Sequence, residues 1–107
     1  MTGYGLVVRF LVKDGHEAEF DDLVSRTVEK IAEREPGTLL YTVHSVTGAP
    51  RQRIFYELYR DESAFAAHEE QPHTRAFLDA RQQHLDGVDV DFVTPTVSNA
   101  PVGEGRA

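Results

Sequence analysis

Residues 53 to 60 read Arg53-Ile54-Phe55-Tyr56-Glu57-Leu58-Tyr59-Arg60. Their β-branched and aromatic side chains favour a strand, in which successive side chains point to opposite sides. Phe55, Glu57 and Tyr59 then share one side and Ile54, Tyr56 and Leu58 the other, so both sides carry large apolar surface. A single layer of helices covers only one of them. An antiparallel sheet left open to water would show polar residues on its free face, so the second face calls for another subunit. The expectation is a homodimer packed sheet against sheet.

Upstream, residues 38 to 47 form a second strand, joined to the first by the turn Gly48-Ala49-Pro50. Residues 4 to 12 read as a strand buried on most of both faces. Asp14 with Glu17 marks a helix start, and Phe20, Leu23, Val24, Val28 and Ile31 repeat at helical spacing up to Pro36-Gly37. Downstream, Asp61 to Glu70 is a short helix with Ala64, Phe65 and His68 on its inner face, and Pro72 opens a second one through about Leu85. Val88, Val90 and Phe92 alternate with Asp89, Asp91 and Val93, a strand with one dry face that Pro95 ends. The order β-α-β-β-α-β is that of an α+β, ferredoxin-like fold, with one four-stranded antiparallel sheet under a helix layer. Residues 1–97 form a single domain, and 98–107 are too poor in apolar side chains to pack and read as a flexible tail or arm.

The 107 residues are enough for one core without staples. With 11 basic and 18 acidic residues the net charge is −7, which argues against nucleic acid or an anionic membrane as a partner. No apolar run approaches the roughly 18 residues of a spanning helix, and the N-terminus lacks a basic region followed by an apolar one, so a cytoplasmic location is expected. The absence of cysteine excludes disulfides, thiolate metal sites and cysteine nucleophiles. There is no P-loop and no Gly-x-Ser-x-Gly elbow, and Gly3-Tyr4-Gly5 precedes a strand where a dinucleotide fingerprint would follow one. No cofactor is read from the sequence.

Chemistry is left to titratable and aromatic residues at buried positions: Tyr41 and His44 on the second strand, Glu57 and Tyr59 on the third, His68 and His73 beyond. A carboxylate flanked by Tyr56, Leu58 and Tyr59 needs a partner or a proton. Glu57 is therefore a pocket carboxylate or half of an ion pair with one of nine arginines. His68 points at the sheet toward Glu57, and an imidazole oriented by a carboxylate is a competent base near neutral pH. The alternative is a hydrogen-bonded core histidine. His73, four residues before Phe77, faces inward or sits at the helix cap. His68 and His73 are five apart across Pro72, not the His-Glu-x-x-His spacing, so no metal site is read.

The run Arg53-Ile-Phe-Tyr-Glu-Leu-Tyr-Arg-Asp61-Glu-Ser-Ala-Phe-Ala-Ala-His68-Glu-Glu-Gln-Pro-His73-Thr-Arg-Ala-Phe77 resembles the signature of the antibiotic biosynthesis monooxygenase family, as does Glu35-Pro-Gly-Thr-Leu-Leu-Tyr41. The resemblance spans about residues 4 to 96. It implies a dimeric α+β barrel with a pocket in each subunit between sheet and helices, and places Glu57, Tyr59, His68 and His73 at family positions. Its members include oxygenases that turn phenols, quinols or polyketide intermediates into quinones with molecular oxygen and no cofactor, sugar-phosphate isomerases and haem-degrading enzymes. The chain departs from the pattern in having Tyr59 where tryptophan stands and no asparagine but Asn99, so haem degradation is not expected.

The resulting expectation is a cofactor-free monooxygenase acting on a small aromatic or polyketide hydroxyl compound with molecular oxygen. His68 would be its base and Glu57 the orienting carboxylate. Tyr41 and Tyr59 would be donors, Phe55, Phe65 and Phe77 pocket walls, and His44 and His73 further substrate contacts. The alternatives are an isomerase of a phosphorylated metabolite, which would need Arg75 and Arg81 to converge on the pocket, and a dimeric binding module without catalysis.

Overall fold

The computed structural model describes residues 3–100. Its elements are β1 (Tyr4–Val12), α1 (Glu17–Arg34), β2 (Thr38–Val46), β3 (Ala49–Tyr59), α2 (Glu62–Glu70), α3 (Pro72–Ala80), a 3₁₀ turn (Arg81–His84) and β4 (Leu85–Val93). The strands lie in the order β2-β3-β1-β4 with every neighbouring pair antiparallel, giving the expected ferredoxin-like α+β sheet.

The two sides of β3 separate as their alternation requires. Phe55 and Tyr59 join Leu6, Val8, Phe10 and Val12 of β1 in the core, against Phe20 and Val24 of α1 and Phe77 of α3. Phe10 and Phe55 meet edge to face at 4.5 Å between ring centres. Arg53, on the same side, is buried and grips Asp21 of α1 with two hydrogen bonds of 2.9 and 3.0 Å; its Nη1 donates to the Pro50 and Gln52 carbonyls. On the other side Ile54 and Tyr56 are half-buried, and Leu40 and Leu11 on neighbouring strands are 44% and 38% exposed.

Four local expectations are corrected. Asp14 does not cap α1: His16 holds the N-cap position, and Asp14 and Gly15 form a turn in which Gly15 takes φ +85°. β3 starts at Ala49, because the reversal is made at Thr47-Gly48; Pro50 fits since the pairing with β1 begins only at Gln52. The last helix ends at Ala80 and not near Leu85, because the Lys13 N–H donates to the His84 carbonyl at 2.8 Å and draws the chain into register with β1. β1 has one dry face, Arg9 and Leu11 being exposed, as follows from helices on one side only.

Val88, Val90 and Phe92 lie opposite Phe10, Val8 and Leu6 on the helix side of the sheet. They are nevertheless 44%, 41% and 61% exposed, so the dry face expected for β4 is not dry in the single chain, although Phe92 meets Phe65 of α2 edge to face at 6.0 Å. Residues 98–100 are irregular and exposed, and the rest of the expected tail lies outside the described residues. Among the described residues no helix is long and apolar enough to cross a membrane.

Candidate active site

The site begins at the end of α1. Pro36 disfavours the helical conformation in the residue before it, and Glu35 leaves the helix at φ −124°, ψ 81° while its N–H still donates to the Ile31 carbonyl. Its side chain turns inward and is buried. α2, capped by Asp61 accepting from the Ala64 N–H at 2.8 Å, and α3, opened by Pro72, bring His68 and His73 to it. Glu35 Oε1 lies 2.8 Å from His68 Nδ1 and Oε2 lies 2.5 Å from His73 Nε2, and Thr38 donates its hydroxyl to Oε1 at 2.6 Å. α2 can approach this closely because residue 37 is glycine: a Cβ there would stand 2.7 Å from the Ala64 Cβ.

Burial alone would push the Glu35 carboxyl up, but the hydrogen bonds from His68, Thr38 and His73 and the charge on His68 outweigh it and hold the group below its ordinary value. An ionised Glu35 only accepts, so His68 donates through Nδ1 and His73 through Nε2. In the neutral imidazole, with the hydrogen on Nδ1, His68 Nε2 keeps its lone pair. It makes no hydrogen bond among the described residues and is not sealed off, whereas His73 Nδ1 is both buried and unpartnered.

His68 forms part of the wall of a cavity of about 220 Å³ between the sheet and the helices. Most of that wall is apolar: Leu6, Val8 and Phe10 from β1, Phe65 from α2, Phe77 and Leu78 from α3, Val90 and Phe92 from β4. Its polar groups are Thr27, Tyr41, Glu57, His68, Glu69, Thr74 and Arg81. Glu57 accepts from the Tyr59 hydroxyl at 2.7 Å. Desolvation pushes its carboxyl above the ordinary value against the opposing effects of Tyr59, His68, Tyr41 and Arg81. Burial and the nearby carboxylates raise the Tyr41 and Tyr59 phenols, which stay protonated as donors. The Arg81 guanidinium, pulled down by burial, lies 5.6 and 5.8 Å from the ring centres of Phe10 and Phe77.

The model of the antibiotic biosynthesis monooxygenase family matches residues 3–80. The chain belongs to this family. Solved structures with the same fold include a proposed antibiotic biosynthesis monooxygenase from Bacteroides thetaiotaomicron, with TM-score 0.86, 18% identity and 94% of this chain aligned to 95% of that one. Another from Caulobacter crescentus gives TM-score 0.85 at 21% identity, covering 90% and 92% of the two chains. The protein PA3566 from Pseudomonas aeruginosa gives 0.82 at 21%, covering 91% and 97%. No curated protein matches the sequence. Family membership supports a monooxygenase-like role.

Within this family fold, Tyr41, Glu57, Phe65, His68 and Phe77 line one cavity. Phe55 and Tyr59 do not line it; both are fully buried behind it, Tyr59 packing its ring on Phe65 and His68 and donating its hydroxyl to Glu57. His73 is spent on Glu35. His44 is exposed on the far face of β2, one residue out of phase with Tyr41 and Val43. The carboxylate that holds His68 is Glu35 and not Glu57, and among the described residues no arginine hydrogen-bonds or forms an ion pair with Glu57, whose hydrogen bond is with Tyr59. Of the two arginines weighed for a phosphate, Arg81 lines the cavity, while Arg75 is exposed beside Glu70 at 3.7 Å. Sequence reasoning missed Glu35 as a site residue; an acidic side chain forced off a helix end by Pro36 was the available signal. Arg81 stands four residues after Phe77, so the two share a helical face.

Proposed function

We propose that this chain is a cofactor-independent monooxygenase that converts a small phenol or quinol with an unsubstituted carbon para to a hydroxyl into a quinone with molecular oxygen. The observation that carries the reading is His68: its Nδ1 is held by a buried carboxylate and its ring faces an apolar cavity that also presents Tyr41 and Arg81. A phenol reduces oxygen readily only as its anion. His68 Nε2 takes the phenolic proton, and Tyr41 and Arg81 stabilise the oxyanion that forms. One-electron transfer to oxygen and collapse of the radical pair form a C–O bond at the para carbon, and His68 returns its proton to give the hydroperoxide. Loss of the para C–H proton to His68 then breaks the O–O bond, leaving the carbonyl, and the departing hydroxide takes that proton as water. One oxygen atom enters the product and the other leaves as water. Glu57 sits beside the donors as a second proton acceptor of raised basicity.

A cavity of 220 Å³ suits one ring or a fused pair, since about 150 Å³ holds benzene. The isomerase reading is disfavoured: a phosphate would meet one guanidinium and two carboxylates, Glu57 and Glu69, in the same wall. We further propose that the working unit is a dimer, with the apolar outer face of β3 against its copy.

The test is oxygen consumption with catechols, hydroxynaphthalenes and hydroxyanthracenes whose para carbon is free, with and without chelator, in the wild type and His68→Ala. The reading expects uptake on one- and two-ring substrates that His68→Ala reduces by about 10²- to 10⁴-fold. No uptake on any of these overturns it, and full uptake in His68→Ala overturns the assignment of the base.

A further inference from the structure

Away from the cavity, a second pair of histidines faces each other. His16, in the N-cap position of α1, and His84, last residue of the 3₁₀ turn, present their Nδ1 atoms to one another at 3.0 Å, with the rings 61° apart. Glu19, one turn into α1, places Oε1 3.9 Å from His16 Nδ1 and 4.0 Å from His84 Nδ1. Among the described residues this is the place where three such side chains each bring one ligand atom within 4.8 Å of the others.

We infer that His16, Glu19 and His84 form a binding site for a borderline divalent cation, Zn²⁺ being the best match. Two neutral imidazoles and a carboxylate are a common zinc donor set, with water completing the tetrahedron. In a tetrahedral site with Zn–N near 2.0 Å, donor atoms stand about 3.3 Å apart. The two nitrogens, at 3.0 Å, need to separate slightly, and the Glu19 oxygen, at 3.9 and 4.0 Å from them, needs to close by about 0.6 to 0.7 Å. Glu19 has the freedom to do so, its side chain being 71% exposed. Without a metal, one ring donates a hydrogen to the other along the Nδ1–Nδ1 line; the cation takes the place of that hydrogen, and both rings then carry theirs on Nε2.

The frame behind these ligands is already fixed. Lys13 N–H donates to the His84 carbonyl at 2.8 Å, His16 N–H to the Lys13 carbonyl at 2.9 Å, and Phe20 N–H to the His16 carbonyl at 2.9 Å. The site lies in a surface hollow open to solvent, which gives an ion an entry path. Binding would tie the start of α1 to the 3₁₀ turn whose first residue, Arg81, lines the cavity. The contrast with Glu35 is instructive. There the two imidazoles bond to opposite oxygens of one carboxylate and do not converge on a point.

The test is calorimetric titration of chelator-treated protein with Zn²⁺ and, separately, Mg²⁺, together with melting curves. The inference expects one Zn²⁺ per chain and a rise in melting temperature, since an ion that binds only the folded state stabilises it. Glu19→Gln, at an exposed position, should weaken binding by tenfold or more, and His16→Ala should abolish it. His68→Ala should leave it intact. A wild-type dissociation constant above about 1 mM overturns the inference, as does Mg²⁺ binding as tightly as Zn²⁺. So does Zn²⁺ binding that is unchanged in both Glu19→Gln and His16→Ala, or lost only in His68→Ala. Should His16→Ala not fold, Glu19→Gln decides.

Discussion

His68 Nδ1 and Glu35 Oε1 lie 2.8 Å apart in the interior, although 33 positions separate the two residues in the chain. This bond fixes which ring nitrogen of His68 carries the hydrogen. Glu35→Gln keeps the shape and removes the charge. A glutamine offers one oxygen and one NH₂, so one of the two histidines must reverse its tautomer. Where that histidine is His68, Nε2 is protonated and can no longer accept. Glu35→Gln is expected to lower kcat by about 10²- to 10⁴-fold with little change in KM, because Glu35 does not line the cavity. Steady-state kinetics on whichever quinol proves active checks this, and an unchanged kcat would remove Glu35 as the positioning residue.

Tyr59 and Glu57 share one face of β3 and are joined by a 2.7 Å hydrogen bond in a buried setting. Tyr59→Phe keeps the ring packing against Phe65 and His68 but leaves the Glu57 oxygen without its donor. The expected loss is about 1–3 kcal/mol of stability, read from urea unfolding. A loss no larger than that of a Tyr4→Phe control, at a half-buried ring packed against the core, would mean that Glu57 finds another partner at no cost.

The contact of Gly37 with Ala64 governs how closely α2 approaches the end of α1. With only 2.7 Å available for a Cβ, Gly37→Ala must displace α2 and His68 with it. About 1–3 kcal/mol of destabilisation is expected from such overpacking, with a fall in activity. Ala64→Gly added to Gly37→Ala should recover most of the activity, though not all the stability, because glycine weakens the helix interior. Absence of rescue would separate the clash from the activity loss.

The outer face of the sheet carries the dimer proposal. Leu40, paired with Leu58, is 44% exposed, and Tyr56 is half-buried beside it. Leu40→Glu with Tyr56→Arg puts two charges on that face without touching the core. Sedimentation equilibrium should report twice the chain mass for the wild type and a single chain for the variant. A monomeric wild type would end the proposal.

Strand alternation and helix spacing made the architecture legible because each apolar position there has only one dry side to face. His68 was legible for the same reason, since Ala64 and Phe65 mark its face of α2. Its partner was not. Glu35 is in no periodic pattern, and its orientation depends on Pro36 ending a helix and on Gly37 letting another element close over it. Glu57 took the role in sequence reasoning because its burial was visible, whereas which of two buried carboxylates meets an imidazole depends on how helices sit over a sheet. His16 and His84 lie beyond any spacing rule, being 68 positions apart. The Pro72 break suggested where the last helix starts, but its end is set by a backbone bond to Lys13 that no local signal announces.

The two buried carboxylates should make opposite marks on the pH dependence of stability. Glu35 titrates below its ordinary 4.5 in the folded protein, so as pH falls through that value the unfolded chain takes up the proton first. The stability it contributes is complete above the unfolded value and is lost as pH drops toward the folded one. Glu57 titrates above 4.5 when folded, so its ionised form is a cost at neutral pH that protonation relieves on acidification. Glu57→Gln, which still accepts from Tyr59, should therefore be more stable than wild type at pH 7, with the gain shrinking as pH falls toward 4. Glu35→Gln should be less stable at pH 7, with the deficit narrowing over the same range. Chemical unfolding at pH 7, 5.5 and 4 reads both slopes. Parallel curves for wild type and Glu57→Gln would show that Glu57 keeps its ordinary titration in the fold.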